Sequence, residues 1–184
     1  MKLETAAPKL TIAQALAKGS CPICALLKEF LDDLVEEFGP DEASSVCKTH
    51  AWSLARAAWA NSVVPVFLRM LESRSPSELH NCSVCEQLRK EEHTRIEELA
   101  REMKSGRVLD WLEHHGSLCL EHAEKLHSYV PAELKAVIDQ IIARNIVELR
   151  QELTDYRQQV REGQKAGGGL LGRAAEFLVG QRGL

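Results

Sequence analysis

Two short patterns alternate along this chain and constrain its fold more than any other feature. The first is Cys21-Pro22-Ile23-Cys24, followed by Cys47-Lys48-Thr49-His50. They return as Cys82-Ser83-Val84-Cys85 and Cys119-Leu120-Glu121-His122. Each copy reads C-x2-C … C-x2-H, and the 6 cysteines of the chain are all used. Two intervening residues let both donors of a pair reach one point from a single turn. Three thiolates and one imidazole complete a tetrahedral shell of the kind that holds structural zinc. A chain that must close such shells has few ways to fold, because each shell ties distant segments to one another.

The duplication extends beyond the donors. Leu27 and Leu88 each follow the second cysteine of a pair by three positions, and Ala51 and Ala123 each follow the histidine. Leu54 and Leu126 lie four positions after the histidines, and Ser45-Val46 and Ser117-Leu118 precede Cys47 and Cys119. Repeated self-similarity of this kind marks an internal repeat. The sequence therefore divides into a short N-terminal helix in residues 1–19, repeat one in 20–74 and repeat two in 80–130. A long helix in 131–162 and a Gly-rich linker with a short amphipathic tail in 163–184 follow.

The expected fold class is all-α, a helical bundle carrying two metal knuckles and a long C-terminal helix. Thr11 can cap a short helix that Gly19 stops. Pro22 suits a first helical position, and Ile23, Leu26, Leu27, Phe30, Leu31, Leu34 and Phe38 keep helical spacing up to Gly39-Pro40. A helix beginning near Cys47 carries Trp52, Leu54, Ala55, Ala58 and Trp59 until Pro65 interrupts it. A charged helix is predicted over 83–104, a short one around Val108 to Leu112, and another from Cys119 to about Tyr129. Pro131 opens the longest, in which Ile138, Ile142, Ile146, Leu149, Leu153, Tyr156 and Val160 form a heptad-like seam for the body or for a second copy of the chain. Trp52, Trp59 and Trp111 are expected in the core. No apolar and polar alternation suggests a strand.

Composition excludes some functions. A formal charge of -4 argues against a nucleic-acid binder, which needs a basic surface. No apolar run reaches the roughly 20 residues of a membrane span. Met1 to Ser20 lacks the apolar block of a signal peptide, so a cytoplasmic location is expected, where CxxC pairs mean metal or redox chemistry more often than disulfides. No phosphate loop, nucleophile elbow or HExxH is present, and a saturated metal shell leaves no position for substrate. The chain is therefore read as non-catalytic.

The eight candidate ligands are Cys21, Cys24, Cys47, His50, Cys82, Cys85, Cys119 and His122, holding two Zn2+ per chain, with an iron–sulfur cluster as the alternative cofactor. Each copy is complete and its internal gap is short, which predicts one site within each repeat. The alternative shares ligands across the duplication: Cys21, Cys24, Cys82 and Cys85 in one site, Cys47, His50, Cys119 and His122 in the other. His114-His115 and Glu124-x2-His127 read as solvated surface groups. In the tail, Leu170, Leu171, Ala174, Phe177 and Leu178 share a face that could dock on a protein partner, fold back on its own domain or stay disordered.

The segments CPICALLKEF, VCKTHAW and LCLEH resemble a family of uncharacterised bacterial proteins with a CPxC … CxxHaW signature. The likeness covers about residues 20–130. It implies a helical, metal-binding cytoplasmic protein and supplies no activity. The Gly-rich linker and tail depart from the family pattern, so no role for the tail follows from it.

Overall fold

The computed structural model describes residues 10–37, 46–57, 64, 67, 68, 71, 82–163 and 169–180, and eight helices are delimited among these described residues. They are α1 (Ile12–Leu16), α2 (Pro22–Glu37), α3 (Lys48–Ala57), α4 (Ser83–Lys104), α5 (Leu109–His115), α6 (Leu120–His127), α7 (Ala132–Arg161) and α8 (Gly169–Val179). The described residues contain no strand, and the all-α expectation holds. No helix among them is long and apolar enough to cross a membrane. Trp59, Pro65 and the start of the Gly-rich linker at 164–168 lie outside the described residues.

Local sequence signals account for the helix ends. Thr11 caps α1 in a capping box: its Oγ1 accepts from the Gln14 N–H at 3.3 Å, while its own N–H donates to Gln14 Oε1 at 2.8 Å. Gly19 ends that turn at φ 69°, and Gly106 ends α4 at φ 78°, both in the left-handed region that glycine enters without a Cβ clash. Pro131 precedes α7, and its missing N–H costs nothing there.

The described residues of Met1–Leu26 and Ile96–Gln181 form one compact unit, and those of Leu27–Arg95 the other. Both boundaries fall inside helices: α2 starts in the first unit and continues into the second, and α4 does the reverse. The first unit buries Ile12, Leu16, Ile23, Leu99, Met103, Leu112, Leu118, Leu126, Ile138 and Ile141. In it α7 packs on α5, α6 and α8, and α6 also meets α8. The second unit buries Leu27, Leu31, Val46, Val84 and Leu88.

Two sequence expectations need correction. Of the α7 seam, Ile138 is buried and Ile142, Leu149, Leu153 and Tyr156 are half-buried, but Ile146 and Val160 are exposed, and Ile141 and Asn145 are buried beside it. A 3.6-residue period drifts from a strict heptad by about 20° every seven residues, which carries part of the seam off the buried stripe. Trp52 is 59% exposed rather than a core residue, while Trp111 is half-buried.

One loop is fixed by space. A Cβ at Gly116 would stand 2.7 Å from both the Cα and the carbonyl oxygen of Leu112. The chain can leave α5 and turn toward Cys119 along this path only without a side chain. Gly116→Ala is expected to cost about 1–3 kcal/mol by overpacking, read as a lower urea midpoint; a midpoint equal to that of the parent would refute the close-approach argument.

Candidate metal centres

All four ligand pairs sit at the same place on a helix. Cys21, Cys47, Cys82 and Cys119 each immediately precede α2, α3, α4 and α6, and the second ligand of each pair lies three positions later. The first turns match bond for bond. Ala25, Ala51, Glu86 and Ala123 donate their N–H to the carbonyls of Cys21, Cys47, Cys82 and Cys119 at 2.9–3.0 Å. Cys119 is the cap residue of α6 in extended conformation, φ -73° and ψ 156°. At such a position the side chain faces the free N–H groups of the first turn. Cys82 uses this directly, with its Sγ accepting from the Cys85 N–H at 3.5 Å.

The eight side chains gather into two quartets: Cys21, Cys24, Cys119 and His122, and Cys47, His50, Cys82 and Cys85. Each residue offers one ligand atom, and these atoms all lie within 4.8 Å of one another. The first quartet is buried throughout, whereas in the second Cys47 and Cys85 are half-buried. The expected site residues are thus brought together, but not as expected. Grouping within each repeat is incorrect, and so is the alternative that put the two CxxC pairs in one site. Each CxxC pair meets the CxxH pair of the other repeat, in nested order: the outermost two pairs of the chain join, and so do the middle two. Either CxxH completes the same Cys3His shell, so the donor pattern does not distinguish the partners. The path of the chain does, because α2 and α4 each start in one unit and continue into the other.

The distances fit single ions. In the first quartet His122 Nδ1 stands 3.5, 3.3 and 3.1 Å from the sulfurs of Cys21, Cys24 and Cys119, and the Cys24 and Cys119 sulfurs are 3.7 Å apart. In the second, His50 Nδ1 stands 3.3, 3.4 and 3.3 Å from Cys47, Cys82 and Cys85, with Cys47 and Cys85 sulfurs 3.7 Å apart. A tetrahedral ion with bonds of about 2.3 Å to sulfur and about 2.0 Å to nitrogen separates sulfurs by about 3.8 Å and sulfur from nitrogen by about 3.5 Å. A disulfide needs about 2.05 Å, and all six cysteines are free.

Electrostatics point the same way. Burial pushes the Cys21 thiol up, but side-chain and backbone hydrogen bonds from Cys119 and Cys24 outweigh it and hold the thiol well below its ordinary value. Cys24 goes up, first through hydrogen bonding with Cys119 and Cys21 and then through burial. In the second quartet burial opposes, but hydrogen bonds from the His50 backbone and from Cys85 and Cys82 bring Cys47 down. Cys85 is pushed up to about 12 by burial and then by Cys82 and Cys47. Within each cage the sulfurs shift in opposite directions, Cys21 and Cys47 down and Cys24 and Cys85 up, as thiols that share one cage do. Burial lowers His50, so its ring is neutral and able to ligate at neutral pH.

Several supporting residues escaped the sequence reading. Arg144 of α7 donates to the carbonyl oxygens of Glu113 and Gly116, the latter at 2.7 Å, and pins the loop that delivers Cys119. Gly180, at φ 75°, ends α8 beside the first quartet, where a Cβ would lie 3.8 Å from Cys24 Sγ. In the tail, Ala174 and Phe177 are buried and Leu170 is half-buried, while Leu171 and Leu178 remain exposed. The tail helix is therefore docked on its own unit through part of the face predicted for a partner. His114 does not join either quartet; its Nδ1 lies 2.8 Å from the Asp110 carbonyl oxygen.

Compared with known proteins, the chain matches no family model, no curated protein and no solved structure.

The nested grouping makes a stoichiometric prediction. Cys21→Ala with Cys119→Ala is expected to remove one bound metal ion per chain, because both lie in one quartet. Cys82→Ala with Cys119→Ala is expected to remove both. Metal analysis of the two purified variants separates the groupings, since sites within repeats would reverse the two results.

Proposed function

We propose that this chain is a non-catalytic zinc protein with two structural Zn2+ ions, acting as an interaction or adaptor module. The convergence of four donors in each quartet, at separations that suit a single tetrahedral ion, supports this reading. An iron–sulfur cluster spreads its ligands over several irons and so holds them farther apart than ligands of one ion. Three thiolates and one neutral imidazole would leave each zinc site near −1 in charge, and the helix N-termini that supply the donors offset it. The shell is closed, leaving no open position for a substrate or a reactive water. A reducing compartment such as the cytoplasm keeps six such thiols available. The CPxC … CxxHaW likeness supports the same assignment.

Zinc would work here as a clamp between helix starts. Each unit has a modest core, and each ion would fix two helices whose joining segments are long. Such sites contribute binding energy directly to folding. The adaptor role falls to what the clamps hold in place. The tail helix keeps Leu171, Leu178 and Val179 exposed for a protein partner, and α7 keeps Val147 and Val160 exposed for a second copy.

Elemental analysis of protein purified without chelator is expected to give two zinc ions per chain, in a colourless preparation. Excess strong chelator is expected to remove both and to collapse the helical circular dichroism. Iron with sulfide, or absorption near ~400 nm that bleaches on reduction, would replace zinc by the cluster reading.

Because α8 ends against Cys24, deletion of residues 169–184 is expected to speed metal loss to a chelator from the first quartet and to leave the second unchanged. Cys47→Ala, which disables the second quartet, isolates the first for this measurement. Equal release rates with and without the tail would show that α8 does not shield the site.

A further inference from the structure

The two quartets differ in how far solvent reaches them. In the first, none of the four ligands is more than 7% exposed. Gly180, at the end of α8, lies against Cys24. A cavity of about 430 Å³ adjoins Cys21, Cys24 and Cys119, and they stay buried beside it. In the second quartet His50 and Cys82 are each 4% exposed, but Cys47 and Cys85 are half-buried. Its open edge therefore carries two sulfurs, and those two stand 3.7 Å apart.

Two further features mark the second quartet. A ligating histidine normally donates its other ring N–H to an acceptor, which orients the ring, and loss of such a partner costs about 10–100-fold in metal affinity. His50 turns Nδ1 toward the three sulfurs. Its Nε2 is buried with no hydrogen-bond partner among the described residues. Arg89 donates through Nε to the Cys85 carbonyl oxygen at 3.2 Å, which holds a guanidinium near the turn that presents Cys85. Oxidant-sensitive cysteines combine thiolate character, exposure, a neighbouring cation and a second thiol within reach. Coordination to a metal supplies the first, and the geometry of Cys47, Cys85 and Arg89 supplies the rest.

We propose that Cys47 and Cys85 form an oxidation site, at which a peroxide converts the two thiolates into a disulfide and so opens the second quartet. The proposal rests on the zinc reading of that quartet and adds a modification that ends it. One thiolate attacks a peroxide oxygen; the O–O bond breaks, and the departing hydroxide takes a proton to become water. The attacked oxygen stays on sulfur as a sulfenic acid. The other thiolate attacks that sulfur; the S–S bond forms, the S–O bond breaks, and a second hydroxide leaves and is protonated to water. Two thiolates, one H2O2 and two protons thus give one disulfide and two waters, with two electrons passing from the sulfurs to the peroxide. The sulfurs close from 3.7 Å to about 2.05 Å. His50 and Cys82 alone are half a tetrahedral shell and do not retain the ion. The clamp between the starts of α3 and α4 opens, while the buried first quartet keeps its metal.

The test uses the full chain with its metal content measured first. It is then mixed with hydrogen peroxide beside a chromogenic zinc chelator, with the chelator alone as the reference. One zinc ion per chain is expected to be released about tenfold or more faster than the other. Peptide mapping at the end of the fast phase is expected to find Cys47 joined to Cys85 and the other four cysteines reduced. A dithiol reductant with added Zn2+ is expected to restore two ions per chain. Release of both ions at one rate, earlier loss from the first quartet, or a fast-phase disulfide between any other pair would overturn this proposal alone. Fewer than two zinc ions before peroxide is added would overturn the zinc reading and this proposal with it.

Discussion

Four helix N-termini, each carrying one pair of donors, meet two by two, and the rest of the fold is arranged by that meeting. A helix start offers unpaired N–H groups and the positive end of a dipole. A cysteine placed just before it, with a second donor three residues on, turns that end into half of a metal shell. The chain repeats the device four times with the same first-turn hydrogen bond each time. No half-shell is sufficient alone, because one pair supplies only two of the four donors of a tetrahedral shell. Bringing two halves together completes the four, and it ties residue 21 to residue 122 and residue 47 to residue 85.

The nested order gives the duplication a use that side-by-side sites would lack. Because α2 and α4 each belong partly to both compact units, each quartet fastens the start of a helix whose remainder helps build the other unit. A repeat that closed its own shell would form a self-contained knuckle on a short loop. Exchanging partners makes each half of the sequence depend on the other. The proposed zinc ions would then contribute cooperativity as well as stability.

Much of this was legible from residue types. Helix ends followed from Thr11, Pro22, Gly106 and Pro131, whose effects on the backbone are local. The eight donors followed from spacing, which is also local. Their partition is a tertiary property: the segments 25–46, 51–81 and 86–118 are all long enough to let a CxxH pair reach either neighbour, so distance along the chain decides nothing. The α7 stripe was read only in part because only apolar positions were followed. Asn145, lying between Ile141 and Leu149 at helical spacing, was the available sign that the buried face also held a polar group. Trp52 lies two residues after a ligand, and its exposure reflects where α3 faces once Cys47 and His50 have turned inward.

Diffraction from crystals of the full chain at the zinc absorption edge tests the central claim most directly. The account predicts two separate anomalous peaks per chain, one among Cys21, Cys24, Cys119 and His122, the other among Cys47, His50, Cys82 and Cys85. Peaks centred within each repeat, a polynuclear iron signal, or sulfurs joined in disulfides would contradict it.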